Sequence, residues 1–287
     1  VFFFLLSKTT LNLVDNENQP FQLFQLNYYS NNPKGLYYFI SIKGLGYCTK
    51  AHLYSCFPNT NIHQMKVLKF GGSSVANAEN IRRVIAIVEE ASKSDRVAVV
   101  VSALGGVTDL LLGASKSAAA NDSTYLNHIS LIRERHLACI NELVSKEIQP
   151  LCLPVMDKAF QDITDLCKGI NLLGETTDRS SDLMVHYGEW LSSQIITMAY
   201  LSINEKVRWK DARELIVTNA AFGAAKVDFT STNYKISHFF ASENFLVVFI
   251  PGFIASDLHG NTTTLGRGGS DYSAAIIAAA LHAEELQ

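Results

Sequence analysis

Residues 97–101 read Val-Ala-Val-Val-Val, a nearly unbroken β-branched run of the kind found in strands buried on both faces. A strand covered above and below belongs to a parallel sheet sandwiched by helices, and no other feature constrains the fold as strongly. The run ends in a small-residue loop, Ser102 to Thr108, that opens a helix. The same order stands just upstream. Lys66 to Phe70 is a short apolar strand, Gly71 to Ser74 a glycine turn, and Asn77 to Ser92 a helix with Ile81, Val84, Ile85 and Val88 on one face. Strand, glycine turn and helix is the phosphate-binding order of many α/β proteins. Two such loops close in sequence imply adjacent parallel strands that deliver their carboxyl ends to one crevice. The fold class is therefore α/β.

Downstream, residues 123–173 read as helical, with breaks expected at Pro150 and Pro154, and form a helical subdomain or lid inserted into the α/β core. Asp178 to Leu201 is a further helix carrying Glu189. Val207 to Trp209 reads as a short strand, Asp211 to Asn219 as a strand-to-loop passage, Ser231 to Ser242 as a helix and Phe245 to Ile250 as another buried strand. Asp257 to Asn261 has the composition of a hairpin turn. The chain stops at Gln287 just after one helix and before any strand that the helix feeds, so the sheet is expected to continue beyond it.

Leu265 to Ala274 concentrates three kinds of chemical group. Gly266, Gly268 and Gly269 allow close backbone approach, and Arg267 offers a planar fork of donors for a carboxylate or phosphate. Ser270 and Asp271 are favoured N-caps for the helix Tyr272 to His282, whose start would aim free N–H groups at a bound anion. Three clusters thus compete for one site: Lys69 with Gly71, Gly72 and Ser73; Ser102 with Gly105, Gly106 and Thr108; and Arg267 with Gly268 to Asp271. Together they supply two cations and many backbone donors, as phosphoryl transfer requires. None is a Walker A loop, because there the Lys follows its glycines. Each cluster alone has a plainer reading. Lys69 would be a solvated strand-end charge, Glu189 a surface helix residue, Arg267 an ion-pair partner, His186 a satisfied or exposed histidine, and Ser73, Ser102 and Thr108 ordinary helix caps.

Composition excludes several classes. The net charge of −3 lacks the basic excess of a nonspecific nucleic-acid binder. The apolar runs fall far short of the roughly 20 residues that a membrane helix needs, so no membrane association is expected. Cys48, Cys56, Cys139, Cys152 and Cys167 form an odd set without metal-ligand spacing, which suggests reduced thiols in a cytoplasmic protein and no dedicated metal site. Residues 1–64 differ from the rest, with 13 of the 27 Tyr and Phe residues, eight asparagines and only six charged side chains. They are read as an appended segment before a domain spanning 65–287. The competing reading is a small element in which strands such as Leu36 to Ile42 pair with the main domain.

Residues 65–285 resemble the aspartokinases of the amino acid kinase superfamily. The resemblance rests on Lys-Phe-Gly-Gly-Ser-Ser-Val at 69–75, Val-Ser-Ala and Gly-Val-Thr within 101–108, His-Tyr-Gly-Glu at 186–189, Pro-Gly-Phe at 251–253 and Thr-Thr-Thr-Leu-Gly-Arg-Gly-Gly-Ser-Asp-Tyr-Ser-Ala at 262–274. It implies a three-layer αβα sandwich with a mostly parallel central sheet, and ATP-dependent phosphorylation of the side-chain carboxylate of L-aspartate. By carry-over, Lys69 and Asp271 are the catalytic pair. Lys69 bridges the phosphates, Gly71, Gly72 and Ser73 cradle them, and Ser102 lies on the nucleotide side. Arg267 holds a substrate carboxylate, Glu189 and Asp271 receive its ammonium group, and Thr108, Phe253 and Ser270 line the amino acid pocket. Mg2+ travels with the nucleotide. Acceptors such as glutamate or acetylglutamate, or a non-catalytic fragment that binds aspartate or dimerises, are the alternatives. Ser73 stands where many family members have Thr. In the family the chain continues past the last helix into elements that hold adenine and ribose and then into regulatory domains. The expectation is a fragment that keeps the aspartate half of the site, lacks much of the nucleotide half, and belongs to a homo-oligomer when full length. A start at Met-Lys-Val-Leu-Lys-Phe also suits fusion to homoserine dehydrogenase.

Overall fold

The computed structural model describes residues 65–287 in full and, before them, the backbone of residues 4–7, 10–14, 20–21, 26–28 and 38–40. The chain divides into two units after Ile62. In the first, β1 (Phe4–Ser7), β2 (Thr10–Val14) and β3 (Pro20–Phe21) form an antiparallel sheet, and β4 (Leu26–Tyr28) pairs antiparallel with β5 (Tyr38–Ile40). Of the strand expected at 36–42, the described residues Tyr38–Ile40 pair with Leu26–Tyr28. Cys48 and Cys56 lie outside the described residues.

The second unit is built on a five-stranded sheet in the order β13-β6-β7-β10-β8. Its strands are β6 (Met65–Phe70), β7 (Arg96–Val101), β8 (Val207–Trp209), β10 (Val247–Pro251) and β13 (Glu285–Leu286), and every neighbouring pair is parallel. Alternation divides the side chains between two cores. Leu68, Val97, Val99, Val101, Val247 and Phe249 face one, whereas Val67, Ala98, Val100, Val248 and Ile250 face the other. Helices α1 (Ala78–Ala91), α2 (Val107–Ala119), α3 (Tyr125–Leu143), α4 (Gln149–Leu173) and α5 (Asp178–Leu201) cover the first face. Helices α6 (Phe229–Ser242) and α7 (Gly269–Leu281) cover the second. The three-layer αβα architecture follows directly from the period-two burial of the strands.

Four expectations are corrected. Of the helical subdomain or lid expected at 123–173, the lid reading falls, because Ile132, Cys139, Phe160, Ile163 and Cys167 share one core with β7 and α5. The helical break falls at 144–148; Pro150 sits in the first turn of α4, where a missing N–H costs nothing, and Pro154 is carried inside the helix. The passage at 211–219 is a 3-10 turn (Ala212–Glu214) followed by β9 (Val217–Thr218), which joins β11 (Ile254–Asp257) and β12 (Thr262–Thr264) in a small second sheet. Finally, α7 does feed a strand: β13 pairs parallel with β6, Glu285 opposite Lys66. Cys139, Cys152 and Cys167 are buried free thiols whose pKa values burial raises, to about 11 for Cys152 and Cys167. No described helix is long and apolar enough to cross a membrane.

The two-sided burial places the end of β10 directly under the start of α7. A Cβ added at Gly252 would lie 2.8 Å from Ser270 Cβ, 2.9 Å from Ser270 Cα and 3.0 Å from Val100 Cγ1. Gly252→Ala is therefore expected to lower stability by about 1–3 kcal/mol through overpacking. Denaturant unfolding reads this, and an unchanged midpoint would refute the close approach.

Candidate active site

The register of the sheet brings three strand ends level. Phe70 pairs with Val101, and Val101 pairs with Pro251. Beyond them the Ser102 amide donates to the Phe70 carbonyl at 3.0 Å and the Gly252 amide to the Val101 carbonyl at 2.9 Å. The first two loops touch through backbone alone, since a Cβ on Gly72 would stand 3.1 Å from the Ala103 carbonyl oxygen and one on Gly105 3.1 Å from that of Gly72. Arg135 of α3 fastens the pair by donating Nη2 to the Gly105 carbonyl at 2.8 Å and to the Ala76 carbonyl at 3.3 Å. Ser192 of α5 donates its hydroxyl to the Ser102 carbonyl at 2.7 Å.

At this edge lies a cavity of about 420 Å³. Lys69, Ser102, Thr108, Glu189, Phe253, Arg267, Ser270 and Asp271 all line it, so the fold gathers eight of the eleven residues singled out from the sequence. Gly71 borders it through Lys69, whose Nζ would lie 3.4 Å from an added Cβ. Gly72 serves the contact between loops. Ser73 is not brought to the cavity: it is exposed, accepts the Asn80 side-chain amide on its carbonyl at 2.8 Å, and lines a separate depression with Asn80 and Arg83.

Charge in the cavity is arranged by environment. Lys69 Nζ stands 2.5 Å from Asp271 Oδ1. Glu189 is 5 % exposed, its Oε2 has no hydrogen-bond partner, and burial pushes its pKa up to about 8 despite the N–H of Ala103 that its carboxyl accepts. A Cβ on Gly188 would lie 2.8 Å from Ala103 Cβ, so α5 packs directly on the loop that opens α2. Arg267 is exposed on the cavity wall and has no ion-pair partner among the described residues. His186, one turn from Glu189, is fully enclosed; its Nδ1 lies 2.6 Å from the Leu183 carbonyl oxygen, and burial drops its pKa to about 3. It is a neutral structural histidine.

The α7 end of the cavity corrects the expected cap. Gly268, in the left-handed region at φ +74°, occupies the N-cap, and Ser270 and Asp271 sit in the first helical turn. Both residues line the cavity, and their backbone N–H groups have no backbone acceptor among the described residues. Phe253 is held at φ +67°, an uncommon state for a bulky residue. The Ser273 hydroxyl accepts the Phe253 amide at 2.9 Å, and the Leu265 amide donates to its carbonyl at 2.9 Å. Gly223, Asp182, Arg135 and Ser273 were not foreseen. Asp182 carried one usable signal, because it lies seven residues before Glu189 and so on the same face of α5.

Residues 64–287 match the amino acid kinase family. The chain is 31% identical over 221 residues to bifunctional aspartokinase/homoserine dehydrogenase 1, chloroplastic, of Arabidopsis thaliana, covering 77% of this chain and 24% of that protein. It is 32% identical over 230 residues to aspartokinase 1, chloroplastic, of the same plant, covering 77% and 39%. Among solved structures, E. coli aspartokinase III in complex with aspartate and ADP superposes with a TM-score of 0.69 at 30% identity, covering 78% of this chain and 48% of that one. The same enzyme with lysine and aspartate gives 0.68 at 30% identity, covering 77% and 48%. The chain thus spans about a quarter of the bifunctional relatives and about half of the solved aspartokinase.

The state of Glu189 fixes a pH dependence of stability. Its pKa in the fold, about 8, is raised above the ordinary 4.5. The fold therefore favours the neutral acid, fully so below about pH 4.5, and loses that stability as pH rises through about 8. The loss is about 1.4 kcal/mol per pH unit across the window. Glu189→Gln removes the titration. Its thermal midpoint is expected to exceed that of the parent increasingly from pH 6 to pH 8, and a gap independent of pH would disprove the assignment.

Proposed function

The chain belongs to the amino acid kinase family, and from that premise we propose that its cavity binds L-aspartate and transfers the terminal phosphoryl group of ATP to the aspartate side chain. The observation that carries this reading is the pairing of Glu189, with a buried oxygen that lacks a partner, and Arg267, a cation without one, in a single cavity that also holds Lys69. An α-amino acid carries an ammonium and a carboxylate in the complementary order. Acetylglutamate, whose nitrogen is an uncharged amide, would offer Glu189 one neutral N–H in place of an ammonium, a partner weaker by about 1–2 kcal/mol. The complex of E. coli aspartokinase III with aspartate and ADP supports the same pair of ligands.

The chemistry asks little of the protein beyond position and charge. A side-chain carboxylate with a pKa of about 4 is ionised at neutral pH, so the attacking oxygen needs no general base. Glu189 takes the ammonium group, Arg267 the α-carboxylate, and Thr108, Phe253 and Ser270 close the remaining walls. Lys69 emerges from β6 onto the transferring group and neutralises charge that builds on its oxygens. The unpaired amides of Ser270 and Asp271 add donors at the same end, and Ser102 faces the nucleotide side. Asp271 holds Lys69 in place until phosphate competes for it. Magnesium supplies further charge neutralisation when bound with the nucleotide. The product, an aspartyl phosphate, is the activated acid from which lysine, threonine and methionine synthesis begins, and a cytoplasmic setting remains part of the proposal.

Calorimetric titration tests the ligand, and hydroxylamine trapping of acyl phosphate tests the reaction. L-Aspartate is expected to bind with an association constant that rises about tenfold per unit between pH 6 and pH 8 as Glu189 ionises. Glu189→Gln should abolish the slope, and Arg267→Ala should weaken binding about tenfold to a hundredfold. Lys69→Ala should leave aspartate affinity nearly intact and lower kcat at least about 10²- to 10³-fold. Preference for acetylglutamate over aspartate across a panel of acceptors would sink the assignment.

A further inference from the structure

We propose that Asp182 is a positioning residue that sets the spacing between the Glu189 and Arg267 walls of the amino acid pocket, and thereby the length of the substrate accepted. The proposal rests on the function proposed above.

Asp182 is 2 % exposed and lies on α5 seven residues, about two helical turns, before Glu189. Its Oδ2 accepts the backbone amides of Gly223 at 2.9 Å and Thr264 at 3.0 Å, and its Oδ1 accepts the Thr264 hydroxyl at 2.7 Å. No cation pairs with it among the described residues, so three neutral donors hold a buried carboxylate. The donors lie on or lead into the cavity wall. Thr264 ends β12, three residues before Arg267, and Gly223 lines the cavity itself. The walls are also tied to each other: the Ala225 amide donates to the Thr264 carbonyl at 2.8 Å, and a Cβ on Gly266 would lie 3.3 Å from Ala224 Cβ.

One side chain therefore joins the helix that carries the ammonium acceptor to the strand that leads into the carboxylate clamp. β12 is only three residues long, and besides Asp182 the 219–226 loop meets α5 through exposed Arg179, whose guanidinium lies 5.8 Å from the Phe222 ring centroid and donates to Asn261 Oδ1 at 2.6 Å. Without Asp182 the Glu189 helix would stay fixed by the core, while Gly223 and Thr264 would lose their one buried tie to it and keep only the pairing of β12 with β11 and the exposed Arg179 contacts. A shorter and a longer acidic amino acid would then be told apart less well.

The test uses Asp182→Ala and Asp182→Asn, titrated calorimetrically with L-aspartate and L-glutamate, with amide hydrogen exchange measured at Gly223 and Thr264. Asn can keep both amide donors on its carbonyl oxygen and give an N–H to the Thr264 hydroxyl, so it serves as the conservative control. Asp182→Ala is expected to weaken L-aspartate at least about tenfold, to shrink the preference over L-glutamate, and to speed exchange at Gly223 and Thr264 selectively. Asp182→Asn should stay within about threefold of the parent in all three. Should Asp182→Ala fail to fold, Thr264→Val, which loses only the hydroxyl bond, is expected to weaken L-aspartate by about twofold to fivefold. Unchanged aspartate affinity and preference in Asp182→Ala, or in Thr264→Val where that variant replaces it, would overturn the proposal. So would faster exchange spread evenly over the fold. A parent chain that binds no L-aspartate would instead overturn the proposed function, and exchange at Gly223 and Thr264 would still decide whether Asp182 holds the two walls.

Discussion

Burial of β7 on both faces is the constraint on which the other elements depend. Val97, Ala98, Val99, Val100 and Val101 are all fully enclosed, three facing the α1–α5 layer and two facing the α6–α7 layer. Fully burying each Val is worth roughly 1.5–3 kcal/mol. A one-residue slip would exchange the two sets and place the wrong volumes in both cores. The register is thus fixed by packing, and the level strand ends at Phe70, Val101 and Pro251 follow from it. Lys69, the Ser102 loop and Gly252 reach one edge because the core admits no other alignment.

At that edge the protein holds its charges unevenly. Lys69 and Asp271 neutralise each other in an open position where water screens them. Glu189 sits enclosed with one oxygen unmatched, at a cost that the fold bears in the absence of a cation. A cationic ligand reverses that cost on binding, since it supplies the missing partner and returns the carboxyl to its ionised state. Under the proposed function, the ammonium group of the substrate would be that partner.

Much of this was legible in the sequence because burial leaves a regular trace. The run at 97–101, the helix at 178–201, the strand at 207–209 and the turn at 257–261 need only hydrophobic period and turn chemistry. The misreadings share a physical origin. Residues 123–173 read equally as a helical subdomain or a lid because their partners are distant in sequence, and periodicity cannot say which core a helix joins. Ser270 and Asp271 were taken for caps on composition, whereas a left-handed Gly268 ends the loop sooner. β13 is a two-residue strand, too short for any period to register. Within the site, charged and glycine residues were visible because their chemistry is unusual for their position. Arg135 and Ser273 were not, since each acts on a backbone group that only the fold brings near.

The backbone itself carries much of the recognition, and this explains why the informative stretches are written in glycine. Gly266 and Gly268 stand at positive φ, and Phe253 is forced there as well. A Cβ on Gly269 would lie 2.7 Å from the Phe253 ring, and one on Gly252 would strike Ser270. These contacts press the start of α7 onto the end of β10 so closely that any side chain at the junction would push the Ser270 and Asp271 amides away from the cavity. Anion binding by N–H groups depends on their direction, and here the direction is set by what the junction cannot accommodate. Arg267 is exposed and has no ion-pair partner among the described residues. Charge can be supplied by one side chain, but aligned amides require the whole packing of strand, turn and helix behind them.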